Sequence, residues 1–202
     1  NGIRVNTARP QVLDAMKKAG CYRVYFGIES GVERVLESLN KQITLDDARE
    51  AVANARAAGL EVGAYFMLGN VGETPEDMDA TIDFAMSLDL DIVQYTIATP
   101  YPGTGMYRQI EAGGRFLFES WEELASYGRL MFEMGEVNPE VVGEKYRMAL
   151  RRFYFNPRFL GRQFTQAFTW TGFKHRVLGA WLLLRMTWTG KRKRSPGVAA
   201  NE

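Results

Sequence analysis

Four times between residues 2 and 112, a short apolar run gives way to an amphipathic stretch at helical spacing. That alternation restricts the fold more than any other feature of the chain. The first pair is GIRVN (2–6) and RPQVLDAMKKA (9–19), with Val12, Leu13 and Met16 at helical spacing and Gly20 as a stop. The second is YRVYFGI (22–28), followed by a short helix over 32–39 and a longer one that Thr44 opens and Gly59 ends. Asp47 follows Thr44 at the spacing of a reciprocal cap. The third is EVGAYFMLG (61–69), then Thr74-Pro75 as cap and first helical residue of a helix to about Leu88. The fourth is DIVQYTIA (91–98), the loop TPYPGTG and a helix from about Met106 to Ala112. The order βαβαβαβα predicts a parallel sheet covered by helices, with right-handed crossovers. An open doubly wound sheet and an arc of a (β/α) barrel both fit, and both put ligands at the carboxyl ends of the strands.

Polar groups and glycines gather at that edge. They are Arg4 and Asn6, then Glu29 and Ser30, then Gly69, Asn70, Gly72 and Glu73, then Thr96, Ala98 and Tyr101. Glu29 and Glu73 suit either a carboxylate pair or the holding of ribose hydroxyls and amino groups. No side chain is singled out as a general acid or base. No phosphate-binding Gly-x-x-x-x-Gly-Lys-Ser/Thr loop occurs, and Gly103-Thr-Gly105 reads as a turn. One Cys and one His cannot make a zinc site, so no metal ligand is assigned. Cys21 precedes the second strand, at the wrong end of a parallel sheet for chemistry, and reads as a small buried residue. His175 reads as a surface or packing residue.

The net charge of +1 hides a division. Residues 141–194 hold thirteen Lys/Arg, one acid (Glu144) and eleven of the 25 aromatics, so an acidic body carries a basic aromatic tail. Pro157 interrupts its helical pattern. Docking on the body, contact with an anionic membrane through Trp181, Leu182 to Leu184 and Trp188, and nucleic-acid binding are the three readings, the last disfavoured. The chain has no apolar run of the roughly 18–20 residues that a spanning helix needs. A single cysteine points to a reducing, cytoplasmic compartment, with membrane association as the alternative.

Taken together, NGIRVN (1–6), MKKAGCYRVYFGIESG (16–31), VLESLNK (35–41), YFMLGNVGET (65–74) and PYPGTGMY (100–107) resemble radical S-adenosylmethionine enzymes. The resemblance is to the group that usually carries a cobalamin-binding domain, which includes methyltransferases and anaerobic tetrapyrrole cyclases. It implies a partial (β/α) barrel, strands three to six, followed by a helical C-terminal tail. It implies S-adenosylmethionine and a [4Fe-4S] cluster as cofactors, with cobalamin in a further domain. The cluster's C-x-x-x-C-x-x-C loop is absent here, so the chain is expected to be a truncated fragment, inactive alone. By position, Glu29 and Ser30 would lie near the ribose or methionine part of the cofactor. Gly69, Asn70, Gly72 and Glu73 would approach the adenine, with Thr96 and Ala98 beside it. Arg4, Asn6, Tyr95 and Tyr101 could face cofactor or a small-molecule or lipid-like substrate. Asn70-Val71 departs from the Phe/Tyr-Pro that the family often has there.

The expected divisions are a barrel portion over 1–112, a connecting segment over 113–140, a basic helical region over 141–190 and a disordered end over 191–202. The expected activity is methyl transfer or oxidative cyclisation by way of a 5′-deoxyadenosyl radical. The competing expectation is a non-catalytic membrane-surface or partner-binding protein built on a degenerate barrel fragment.

Overall fold

The computed structural model describes residues 2–125, 128–157 and 159–161. The expectations for residues 162–202, including His175 and the membrane-facing tryptophans, lie outside them.

Three parallel strands form the main sheet: β1 (Arg23–Glu29), β2 (Glu61–Leu68) and β3 (Ile92–Ile97), in that spatial order. Helices alternate with them: α1 (Pro10–Lys18), α2 (Glu33–Ser38), α3 (Leu45–Ala57), α4 (Pro75–Ser87) and α5 (Gly105–Gly113). Local chemistry explains their limits. Thr44 and Thr74 each accept from the backbone N–H three residues on, while Asp47 and Asp77 accept from the threonine N–H in return. Gly20 and Gly59 end α1 and α3 with φ of +91° and +71°, which costs glycine little.

The expected strand over 2–6 shrinks to one parallel bridge, Ile3 to Phe26, with the Ile3 N–H donating to the Tyr25 carbonyl at 2.8 Å. Val5–Thr7 instead turns as a 3-10 helix, because the Thr7 hydroxyl and N–H both donate to the Arg4 carbonyl. The sheet is therefore an arc and not a closed barrel. The segment expected to be only a connection contains an antiparallel pair, β4 (Arg115–Phe116) with β5 (Phe132–Glu133), and buries Leu130, Met131 and Phe132. The helix α6 (Pro139–Tyr154) follows. Lys145 pairs with Asp79 at 2.6 Å and Arg152 with Asp83 at 2.7 Å, so the first basic helix of the tail docks on acidic positions of α4.

Residues 1–153 make one compact unit, so the hairpin and most of α6 belong with the sheet. A second begins at Tyr154. In it Pro157 opens a new helical turn, and the Tyr154 and Phe159 rings meet edge to face at 5.1 Å.

Candidate functional site

The two faces of the sheet differ. Along β1, β2 and β3 one set of side chains is buried and the other half-buried or exposed. Strand alternation puts Val24, Phe26, Ala64, Phe66, Val93 and Tyr95 on the face that α4 covers. There Phe66 meets Phe84 of α4 edge to face at 6.5 Å. The opposite, open face carries Tyr25, Gly27, Tyr65, Met67, Gln94 and Thr96. Tyr25 and Tyr65 stack there at 5.2 Å, and Tyr25 lies across Gly63, where a Cβ would come within 2.4 Å of the ring.

At the carboxyl end of β1 the register slips between Gly27 and Glu29. Glu29 takes φ +78°, rare for a residue with a side chain. Two residues on from Gly27 and on the same side of the strand, its carboxylate lies over that glycine: a Cβ there would lie 3.1 Å from Glu29 Oε1. Glu29 therefore stands over the open face, half-buried, with Lys41 Nζ 2.8 Å from Oε1.

Ser30 and Gly31 turn the other way. The Ser30 hydroxyl is buried, 3.1 Å from Thr81 Oγ1, and accepts from the Val32 N–H at 3.2 Å. Gly31 packs on α4 so closely that a Cβ would lie 2.6 Å from Phe84 Cβ and 2.8 Å from Thr81 Cα. The strand thus ends in a carboxylate aimed at the open face and a hydroxyl and glycine that anchor a helix. Ser30, expected beside the cofactor, has its hydroxyl against Thr81 of α4, because neighbouring residues at a strand end face opposite ways. Tyr95 is buried on the helix side, 5.9 Å from the Phe66 ring. Its neighbour Thr96 faces the open side and donates to the Phe66 carbonyl at 3.2 Å.

The loop after β2 is a packed turn. Gly69 has φ +81°, and a Cβ there would meet Val142 of α6 and Leu130 within 3.2 Å. Glycine is needed at that point for internal packing, a different reason from the approach of a base. Glu73 closes the turn: its Oε2 accepts the Asn70 N–H at 2.7 Å, and its own N–H donates to the Asn70 carbonyl. Glu73 Oε1 and Asn70 Oδ1 are buried without a hydrogen-bond partner among the described residues. Burial is the main reason the Glu73 carboxyl is pushed up to about 7, opposed by hydrogen bonds from Asn70 and Gly69 and aided by nearby Asp77. Arg34 of α2 donates to the Gly72 carbonyl at 3.0 Å and pairs with Asp77, tying the segment after β1 to this loop. Burial works to raise the Asp77 carboxyl, but the Thr74 and Arg34 hydrogen bonds together hold it below its ordinary value.

Glu29, Met67 and Thr96 are thereby brought to adjacent strand ends on one face. The two outer strands of a three-stranded sheet lie about 10 Å apart, a span that suits a nucleoside. Ala98 is buried at the same edge, its N–H on the Leu68 carbonyl at 2.9 Å. Tyr101, 53% exposed, stands on the following loop, and Arg4 and Asn6 are exposed beside the Ile3 bridge. Met67, Tyr65, Arg34 and Lys41 were missed by sequence reasoning. Strand alternation from Thr96 and the observed register find the first two; nothing local signals the last two. Among the described residues no group of three His, Cys, Asp or Glu could hold a metal ion. Cys21 is half-buried, where a small buried residue was expected, and its Sγ lies 3.3 Å from the Arg23 carbonyl.

A parallel βα arc with a polar rim of this kind defines a class: the family model of the Radical SAM superfamily matches residues 1–85, the part of the chain that holds α1, β1, α2, α3 and β2. Over 151 residues it is 40% identical to an uncharacterized methyltransferase of Pyrococcus horikoshii, covering 75% of this chain and 33% of that protein. Cytidylyl-2-hydroxyethylphosphonate methyltransferase of Streptomyces wedmorensis is 33% identical over 135 residues, 63% of this chain and 24% of that protein. Archaeal Elp3 of Methanocaldococcus infernus shares the fold, with a TM-score of 0.51 at 20% identity over 55% of this chain and 27% of that one. The chain thus spans about a quarter to a third of the curated relatives it matches.

Proposed function

We propose that the open face of this arc binds the adenosyl part of S-adenosylmethionine within a longer radical enzyme. That enzyme performs methyl transfer, or oxidative ring formation, on a small organic molecule. The observation that carries this reading is the Glu29 carboxylate, in phase with Tyr25 and Gly27 on the open face at the end of β1, on the side that also carries Met67 and Thr96. The donor set fits the nucleoside. Glu29 accepts hydrogen bonds from ribose hydroxyls, and Met67 gives an apolar floor for the base. The Thr96 hydroxyl, with the Asn70 and Glu73 oxygens that have no hydrogen-bond partner among the described residues, marks a polar margin. When bound, S-adenosylmethionine supplies a 5′-deoxyadenosyl radical or a methyl group.

The residues of this chain do not fit the superfamily's iron–sulfur cluster. Its single cysteine, Cys21, precedes β1 at the end away from the rim. No step is therefore assigned to a cluster held here. What this chain contributes is orientation: a fixed carboxylate, an apolar floor and a rim braced by Arg34. Tyr101, Arg4 and Asn6 stand outside that floor and suit contact with the substrate. Relatives named as methyltransferases favour the methyl-transfer branch.

The test is equilibrium dialysis of the full-length protein with labelled S-adenosylmethionine. Binding should weaken about tenfold in Glu29→Gln, the loss expected of a charge-assisted hydrogen bond. Native protein that takes up no label, or Glu29→Gln that binds as the native does, would refute the assignment.

A further inference from the structure

Among the described residues, three that carry a side chain adopt positive φ: Glu29 at +78°, Asn40 at +53° and Gln42 at +50°. All three surround a single ion pair. Asn40 is the simplest to explain. It ends α2, with its N–H on the Glu37 carbonyl at 2.9 Å and the Lys41 N–H on the Leu36 carbonyl at 3.0 Å. This is the double-bonded helix terminus in which asparagine can replace glycine. It delivers Lys41 to a set place. Gln42 then bends the chain again, into α3. From there Lys41 Nζ lies 2.8 Å from Glu29 Oε1 and 3.4 Å from the Gly27 carbonyl. Gly27 leaves the room: a Cβ would lie 3.1 Å from Oε1 and 3.4 Å from Nζ.

The energies show that this arrangement is not kept for stability. Left-handed backbone at Glu29 and Gln42 is a cost to the fold at both positions. The Lys41 and Glu29 side chains are 31% and 22% exposed, and a pair so open to solvent adds little stability. The strain outweighs the attraction. What the pair achieves is direction: one carboxylate oxygen is held by the ammonium, and the other is left for a ligand.

We propose that Lys41 is the positioning residue of this site, locking Glu29 over the open face so that its carboxylate is preorganised for the polar part of the nucleoside. This rests on the reading of the rim as an S-adenosylmethionine site. It adds a residue from the α2–α3 connection to a site otherwise built from strand ends. Preorganisation lowers the ordering cost of binding, so losing it should reduce affinity more than stability.

The experiment uses the full-length protein, with S-adenosylmethionine as the probe in calorimetric titration and thermal unfolding in parallel. Lys41→Met should raise Kd about tenfold while Tm moves by about 2 °C or less. Lys41→Arg, which keeps the charge and reach, should stay within about threefold of native. The exchange Glu29→Lys with Lys41→Glu rebuilds an ion pair with the carboxylate on the wrong side. It should recover native Tm and leave binding impaired. An unchanged Kd in Lys41→Met overturns the proposal, as does a charge exchange that recovers affinity together with Tm. Native protein that fails to bind the probe overturns the site reading itself, which separates the two failures.

Discussion

Glu73→Gln should make the chain more stable at high pH and remove most of one pH dependence. Glu73 is 2% exposed, and its carboxyl is pushed up to about 7 from an ordinary 4.5. A raised carboxyl binds its proton more tightly in the folded state. Its contribution is therefore intact below the unfolded value and is lost as pH rises from about 4.5 through about 7. The difference of about 2.5 units corresponds to roughly 3 kcal/mol, complete by pH 8. Glutamine keeps the acceptor for the Asn70 N–H, held at 2.7 Å in the native turn. Urea unfolding at pH 5, 6, 7 and 8 tests this. The two proteins should be nearly equal at pH 5, and the variant should gain roughly 3 kcal/mol on the native by pH 8. Parallel profiles, or a variant that is weaker at pH 8, would show that the buried carboxyl ionises without cost and that the argument from burial is wrong.

Gly31→Ala should destabilise by about 2–3 kcal/mol in chemical denaturation, because the new Cβ meets helix backbone at 2.8 and 2.9 Å. Gly63→Ala should cost less than half as much: the clash is with the Tyr25 ring, which can swing out over the open face, and a cost equal to that of Gly31→Ala would contradict the packing described. Ser30→Ala should lose about 1 kcal/mol with the Thr81 contact and leave S-adenosylmethionine affinity within about twofold; a large loss of affinity would return Ser30 to the rim. Thr44→Ala and Thr74→Ala should each cost about 1 kcal/mol in thermal unfolding, with no change in affinity for Thr44→Ala.

The rim illustrates where sequence reasoning succeeds and where it stops. Glu29 and Thr96 could be placed at strand ends from the apolar runs that precede them. Their neighbours Ser30 and Tyr95 face α4 instead. Adjacent residues of a strand point to opposite faces, so both members of such a pair cannot line one site. The alternation was present in YRVYFGIES and in DIVQYTIA, but choosing the face required knowing where α4 lies. The tail divides in a similar way. Its charge and helical spacing were legible over 141–154, whereas the docking of Lys145 on Asp79 joins residues 66 positions apart.

The sequence by itself determined the elements and their order. Caps such as Thr44 with Asp47, stops such as Gly20 and Gly59, and the apolar runs act within a few residues, so their physics is local. Only the tertiary structure decided that GIRVN forms one bridge and a 3-10 turn, that Glu29 leaves the regular register, and that Lys41 meets it. Each of these turns on register or on contacts between distant segments. The slip changes the partner of Glu29 on β2 while leaving it in phase with Tyr25 and Gly27, and no short stretch of chain records which distant residue it meets.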